Sequence, residues 1–322
     1  YCDGMPENDL LVAAVALACE QAEIPEPQVT CMPLPEVDWV SENQKSFKPI
    51  QAGRFFVHPS HYERRVPPGS WRMMIDAATA FGTGEHGTTK GCLLAINDLA
   101  KSASFQRPLD LGCGTGYSLP ALRQRFNDAQ LVGVDLAEGM LAYASEHHSE
   151  DCQQWVCGDA EDLPLADARV DLLFSSLSLQ WCENVSALFS EIDRVLAPGG
   201  KAFIATLGPE TLFELREAWQ NVDGYAHVNR FIPRQALGTA IAASGLRVQW
   251  REATEVLYYP TVTALTRELK QLGVSNVNRD RPQGLASRKR LQALQQAYEA
   301  FRQPAGLPAS YQVWYLELDK QP

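Results

Sequence analysis

The sequence predicts an α/β fold: a mostly parallel sheet of seven strands with helices on both faces, preceded by a small α+β module. Three observations predict it. From Arg107 onward, short apolar runs of strand length alternate with amphipathic runs of helix length. A glycine-rich turn, Gly112-Cys113-Gly114-Thr115-Gly116, follows the first of these strands and opens a helix. The next strands end on acidic residues, Asp135 and Asp159.

The strand-like runs are Leu109 to Cys113, Leu131 to Leu136, Gln154 to Cys157, Val170 to Ser175 and Ala202 to Leu207. Helical runs lie between them at Ser118 to Phe126, Gly139 to His147 and Val185 to Leu196, the last stopped by Ala197-Pro198-Gly199-Gly200. Such alternation implies right-handed crossovers and a parallel sheet. Two further strands fit Leu246 to Tyr259 and Tyr311 to Leu318, with helices at Thr263 to Leu272 and Ser287 to Phe301 between them. This domain is taken as 107–322, with an insertion on the acceptor side at about 208–310. Ahead of it, 1–65 is read as the small module, with a helix at Asn8 to Ala22 and strands at Gln28 to Met32 and Arg54 to His58. The linker, 66–106, carries a glycine-rich loop from Phe81 to Thr89 and a helix from Thr88 to Ala100.

Composition narrows the function. Charged residues make up 21% and the net charge is −11, which argues against general nucleic-acid binding, because that needs a basic face. No run of apolar residues is long enough for a membrane span, and the stretch Leu10 to Cys19 lacks the basic start of a signal peptide. The eight cysteines form no CxxC pair, so neither a zinc site nor a disulfide framework is indicated. Free thiols fit a reducing cytoplasm. The sequence opens on Tyr1 rather than a methionine and is read as part of a longer chain.

Leu109-Asp110-Leu111-Gly112-Cys113-Gly114-Thr115-Gly116 carries the sharpest chemical signal. Glycines there let the backbone turn tightly and approach a ligand, and the helix that follows offers unpaired N–H groups to a carboxylate. Asp135 lies 21 residues after Gly114, a spacing that suits acceptance of ribose hydroxyls. Asp159, in Gly158-Asp159-Ala160-Glu161-Asp162, can face an adenine amine. In this order and spacing, the motifs resemble those of the Rossmann-like class I S-adenosylmethionine-dependent methyltransferases. The resemblance implies that Asp110, Gly112, Gly114 and Gly116 line the methionyl part of S-adenosyl-L-methionine. It assigns the ribose to Asp135 and the adenine to Asp159 and Ala160. Ser175, at the exit of the fourth strand, joins this cofactor set.

A closer resemblance is carried by Leu172 to Trp181, Thr206 to Leu212, Asp223 to Phe231 and Gly273 to Arg279. These stretches look like the BioC family, malonyl-acyl-carrier-protein O-methyltransferases of biotin synthesis. The implied reaction is esterification of a malonyl carboxylate. It requires a cation for that carboxylate, and His227 and Arg230 are the candidates. The implied partner is an acyl-carrier protein. Carrier proteins are acidic, as this chain is, so docking calls for a local basic patch. Residues 267 to 302 hold eight cations against three acids, with Arg281, Arg288, Lys289 and Arg290 the proposed contacts. A solvated helix face is the plainer reading of the same residues. By contrast, Trp39, Glu42 to Pro49 and Phe81 to Thr89 resemble the PrmA family of ribosomal-protein methyltransferases, so the chain looks chimeric, joined between about Lys101 and Asp110. That likeness implies that Thr83, His86 and Thr88 approach the cofactor from its open side. It keeps two alternatives open: an N-methyltransferase acting on a large-subunit ribosomal protein, and an inactive cofactor-binding hybrid.

Overall fold

The computed structural model describes residues 49–59, 62–74, 87–271 and 288–322. The expected helix at Asn8 to Ala22, the strand at Gln28 to Met32, most of the glycine-rich loop with Thr83, the Gly273 to Arg279 stretch and Arg281 lie outside the described residues, as does the side chain of Arg288. Among the described residues, no helix is long and apolar enough to cross a membrane.

Phe47–Pro322 forms one compact unit. It opens with a three-stranded sheet: β1 (Ile50–Ala52) antiparallel to β2 (Phe55–His58), and β2 parallel to β3 (Trp71–Met74). Helix α1 (Gly87–Ser102) leads to the main sheet. There the chain runs β4 (Pro108–Leu111), α2 (Leu119–Arg125), β5 (Val132–Asp135), α3 (Glu138–His147), β6 (Gln154–Cys157), β7 (Val170–Ser176), α4 (Val185–Val195) and β8 (Leu196–Leu207). Beyond it come α5 (Phe213–Gln220), α6 (Arg234–Ser244), β9 (Arg247–Tyr259), α7 (Val262–Gln271), α8 (Arg288–Glu299) and β10 (Leu307–Asp319). The strand order is β6-β5-β4-β7-β8-β10-β9. β10 runs antiparallel to both β8 and β9, and the β6-β5-β4-β7-β8 pairings are all parallel.

Side-chain alternation along each central strand explains the two layers of helices. In β7, Leu172 and Phe174 face one core, while Leu173 faces the other. In β10 the odd residues Tyr311, Val313 and Tyr315 join the first core, and Trp314, Leu316 and Leu318 the second. The first core takes its helical side chains from α1 and α2 (Leu93, Ile96, Leu119, Leu122) and from α5, α7 and α8. The second is covered by α4 and α6, through Leu188, Phe189, Ile192, Leu237 and Ile241. A Phe buried as fully as Phe174 or Phe189 contributes on the order of 1.5–3 kcal/mol.

Two boundaries differ from the sequence-based expectation. Ala52, Phe55 and Val57 are buried in the same core as α1 and the main sheet, so these strands pack with the main domain rather than in a separate module reaching to residue 65. Their alternation carries them inward because β1 and β2 lie against α1, where a side chain at Gly53 would stand 3.0 Å from Asn97. β8 begins at Leu196, directly after α4, so Pro198-Gly199-Gly200 lies inside the extended stretch instead of preceding it. Gly199 absorbs the bend with φ 75°.

Candidate cofactor and acceptor site

The strand order reverses between β4 and β7, and ligands of open α/β sheets bind in the crevice beyond the carboxyl ends of the strands at such a point. The glycine turn stands there. Gly112, Gly114 and Gly116 have φ of 68°, 53° and 85°, a region that L side chains enter only at a cost. The three have different neighbours. A Cβ at Gly112 would stand 2.3 Å from the Cβ of Ser178, and one at Gly116 2.8 Å from His148, so these two seat the turn against the protein. A Cβ at Gly114 would meet nothing within 4 Å, so this side of the turn is open and is the face a ligand would fill.

Asp135 ties the turn to β5. Its Oδ2 accepts the Gly114 N–H at 2.8 Å, and its Oδ1 accepts the Ala137 N–H at 2.9 Å. Each carboxylate oxygen keeps a lone pair for a hydroxyl donor. Asp110 is buried, and the Ser118 hydroxyl donates to its carboxylate, so it braces the turn from behind. Burial pushes its carboxyl up to about 7; the Ser118 bond opposes the rise and the Asp135 charge adds to it. Asp159 is exposed and makes a local turn, its Oδ1 accepting the Glu161 N–H at 2.9 Å. The loop carrying Asp159 and Ala160 is fastened at its far end by Arg194, which donates to the carbonyls of Leu163 at 2.9 Å and Leu165 at 2.6 Å.

Ser175 has a different place from the one expected of a cofactor contact. It is 2% exposed, and its hydroxyl donates to the Leu111 carbonyl at 2.8 Å and lies 2.6 Å from that of Ser178. The alternation of β7 turns it inward, and it knots the ends of β4 and β7 together. Leu177, at φ 55°, makes the turn that brings Ser178 back to Gly112. Thr88 is buried in the first turn of α1. A few residues on, Cys92 Sγ lies 3.2 Å from the Ser176 hydroxyl, so α1 begins beside the carboxyl end of β7. Leu136, next to Asp135, is 69% exposed beside this crevice. An apolar residue directly after the acidic strand end was the signal for it.

A cavity of about 540 Å³ opens beyond the carboxyl end of β8, lined by residues from Pro209 to Phe231. It lies two strands from β4, which is about 10 Å at the usual strand spacing. His227 and Arg230 both line it. His227 is stacked on Trp219, ring centres 3.6 Å apart, and its Nε2 lies 2.8 Å from Asp223 Oδ1. Arg290, expected in an exposed docking patch, instead donates Nε and Nη2 to Asp223 Oδ2 and lies over the Tyr225 ring. Burial pushes the Asp223 carboxyl up, but Arg290, the Tyr225 amide and His227 outweigh it and hold the group below the ordinary carboxylate value. Lys289 is exposed. Trp219, Asp223 and Arg216 were not singled out from the sequence; they become a site only where α5, the loop after it and α8 converge.

The model of a methyltransferase domain matches residues 109–204, the segment from β4 to β8. A malonyl-acyl-carrier-protein O-methyltransferase of Hahella chejuensis is 40% identical over 219 residues, covering 68% of this chain and 78% of that protein. One from Methylococcus capsulatus is 45% identical over 194 residues, or 60% and 70%. The chain belongs to the malonyl-acyl-carrier-protein O-methyltransferase family. The biotin biosynthesis bifunctional protein BioHC of Cellvibrio japonicus is 50% identical over 215 residues, which cover 66% of this chain but only 42% of that longer protein. Among solved structures, a putative methyltransferase from Bacillus halodurans superposes with a TM-score of 0.52 at 17% identity, over 71% of this chain and 99% of that one. It shares the fold. Members of the family are methyltransferases, and S-adenosylmethionine is the methyl donor.

Proposed function

We propose that this protein transfers a methyl group from S-adenosylmethionine to the free carboxylate of a malonyl thioester on an acyl-carrier protein, in biotin synthesis. The observation that carries the proposal is the pairing of an open cradle at Gly114 and Asp135 with a cation-lined cavity two strands away. When bound, the cofactor supplies a methyl group on a positively charged sulfur, already activated for displacement. The chain's own work is to align and to exclude water. Gly114 leaves space for the methionyl end, Asp135 offers its remaining lone pairs to the ribose, and Leu136 with the Asp159-Ala160 loop offers a wall to the adenine. Asp110, Gly112, Gly116 and Ser175 hold that cradle in shape. A carboxylate acceptor is ionised at neutral pH and needs no base. This suits a cavity in which His227 directs Nε2 to Asp223.

His227 and Arg230 serve the acceptor side, His227 as a wall fixed by Trp219 and Asp223. The carrier protein docks near Lys289 at the start of α8, with Arg281 and Arg288 adjoining in sequence. Arg290 acts from behind the lining, through its bond to Asp223. Masking the carboxylate as an ester lets the acyl chain be elongated as if it were apolar. The five described cysteines are free thiols, in keeping with a cytoplasmic enzyme.

Labelled S-adenosylmethionine offered with malonyl carrier protein and with ribosomal protein side by side tests the proposal. Label on the carrier protein, released by mild base, is expected. Base-stable label on the ribosomal protein would favour the amine-methylating alternative, and no transfer to either, with cofactor bound, the inactive hybrid.

A further inference from the structure

The cavity beyond β8 is lined by three cations that are not equivalent, His227, Arg230 and Arg216. His227 is engaged by Asp223, which also accepts from Arg290 on α8. Arg216, on α5, is placed otherwise. Its Nη1 donates to the carbonyls of Pro209 at 2.9 Å and Thr211 at 3.4 Å. The nearest acid, Glu210, stands 3.9 Å from Nη2 and is 69% exposed. One edge of the guanidinium is therefore fixed by backbone oxygens, while the side chain lines the cavity with only a long ion pair to the exposed Glu210, which lines it too. A planar fork held in this way is suited to bidentate recognition of a carboxylate.

The support beneath Arg216 is built to hold it still. Leu212 turns the chain into α5 with φ 53°, and its N–H donates to the Ser310 carbonyl at 2.6 Å. Glu214, 1% exposed, accepts the Ser310 N–H at 3.1 Å and the Ser310 hydroxyl at 2.5 Å. Two residues before Arg216, α5 is thus pinned to β10, the strand next to β8. A cation whose position is settled before the ligand arrives loses little freedom on binding it.

We propose that Arg216 recognises the free carboxylate of the acceptor, and so separates the malonyl acid from its own methyl ester and from acyl groups that lack a terminal carboxylate. The inference rests on the proposed carboxylate acceptor and names the residue that reads it. The competing role for Arg216 is a clamp on the loop after β8, with no part in binding.

Calorimetry on the full chain, with S-adenosylhomocysteine present, separates the two. The probes are malonyl-pantetheine and its methyl ester. The parent should bind the acid roughly tenfold or more tighter than the ester, as a charge-assisted pair would give. Arg216→Gln should bring the two affinities to within about twofold, with S-adenosylhomocysteine affinity kept. Arg216→Lys keeps the charge but not the fork, so part of the preference should survive. A clamp predicts that Lys fails as Gln does. If Arg216→Gln keeps the acid preference, the proposal is overturned. If the Gln protein does not fold, Arg216→Lys decides: loss of preference with cofactor binding intact overturns it, and partial preference supports it. A parent that binds acid and ester equally overturns the carboxylate-acceptor reading, and the role of Arg216 with it.

Discussion

Asp135 and Asp110 flank the same glycine turn and do different work there. Asp135 is half-buried and spends one lone pair of each oxygen on Gly114 and Ala137. Asp135→Asn replaces one acceptor oxygen by a donor and removes the charge. S-adenosylmethionine affinity should fall by roughly 1.5–3 kcal/mol, the range for hydrogen bonds to a charged group. Calorimetry on folded parent and variant checks this, and equal affinities would remove Asp135 from the ribose role. Asp110 makes a prediction about pH. Its carboxyl is pushed up to about 7 by burial, so the folded chain holds this proton more tightly than the unfolded one. The stability it contributes is complete below about pH 4 and is lost as pH rises through about 7. Cofactor-free Asp110→Asn keeps an acceptor for Ser118 and cannot ionise. Its melting temperature should decline less than the parent's between pH 5 and 8, and parallel curves would contradict the account.

Helix α1 tests how the elements join. Gly91 lies within it, and a Cβ there would stand 2.0 Å from the Tyr315 hydroxyl on β10. Helix propensity alone favours Ala over Gly by about 1 kcal/mol. Tyr315 is buried, so overpacking should win, and Gly91→Ala should destabilise the chain by about 1–3 kcal/mol. Urea unfolding gives the sign, and a stabilised variant would mean that α1 does not pack against β10 as described. The elements from β4 to β8 were legible in the sequence because apolar runs, glycine turns and the Asn184-capped helix α4 repeat without interruption. α5 and α6 were not. In α5, Glu214, Arg216 and Glu217 interrupt the apolar pattern, yet Glu214 is buried through its bonds to Ser310. In α6, Gly238 and a run of alanines give little amphipathic contrast. β1 has only three residues, and in β3 the charged Arg72 breaks the apolar run, so neither stands out as a strand.

At the scale of the whole molecule, the division of labour follows the sheet. The central strand ends carry the glycine turn and Asp135, local signals that the sequence displayed through fixed spacings. The acceptor cavity lies past β8 and draws on α5 and the 221–231 loop, with Arg290 of α8 bracing Asp223 from outside the lining. His227 and Arg230 could be named from the sequence, whereas the Asp223 bond to Arg290 spans 67 residues and left no local pattern. The same bond turns Arg290 from a docking contact into a brace for Asp223, which lines the cavity. Docking should then depend on the exposed Lys289 and its neighbours. Lys289→Glu should slow methylation of malonyl carrier protein and weaken its dependence on salt, while leaving a small malonyl thioester as good a substrate as before. Equal loss on both substrates would place Lys289 in the fold or the site.

Intact-mass spectrometry of malonyl carrier protein incubated with this chain and S-adenosylmethionine is the decisive measurement of carboxyl methylation. Carboxyl methylation gives a gain of one methyl group, confined to the malonyl-loaded carrier, absent from the acetyl-loaded one and lost on mild alkaline treatment. A methyl group that survives alkali, or that appears equally on the acetyl-loaded carrier, would contradict it.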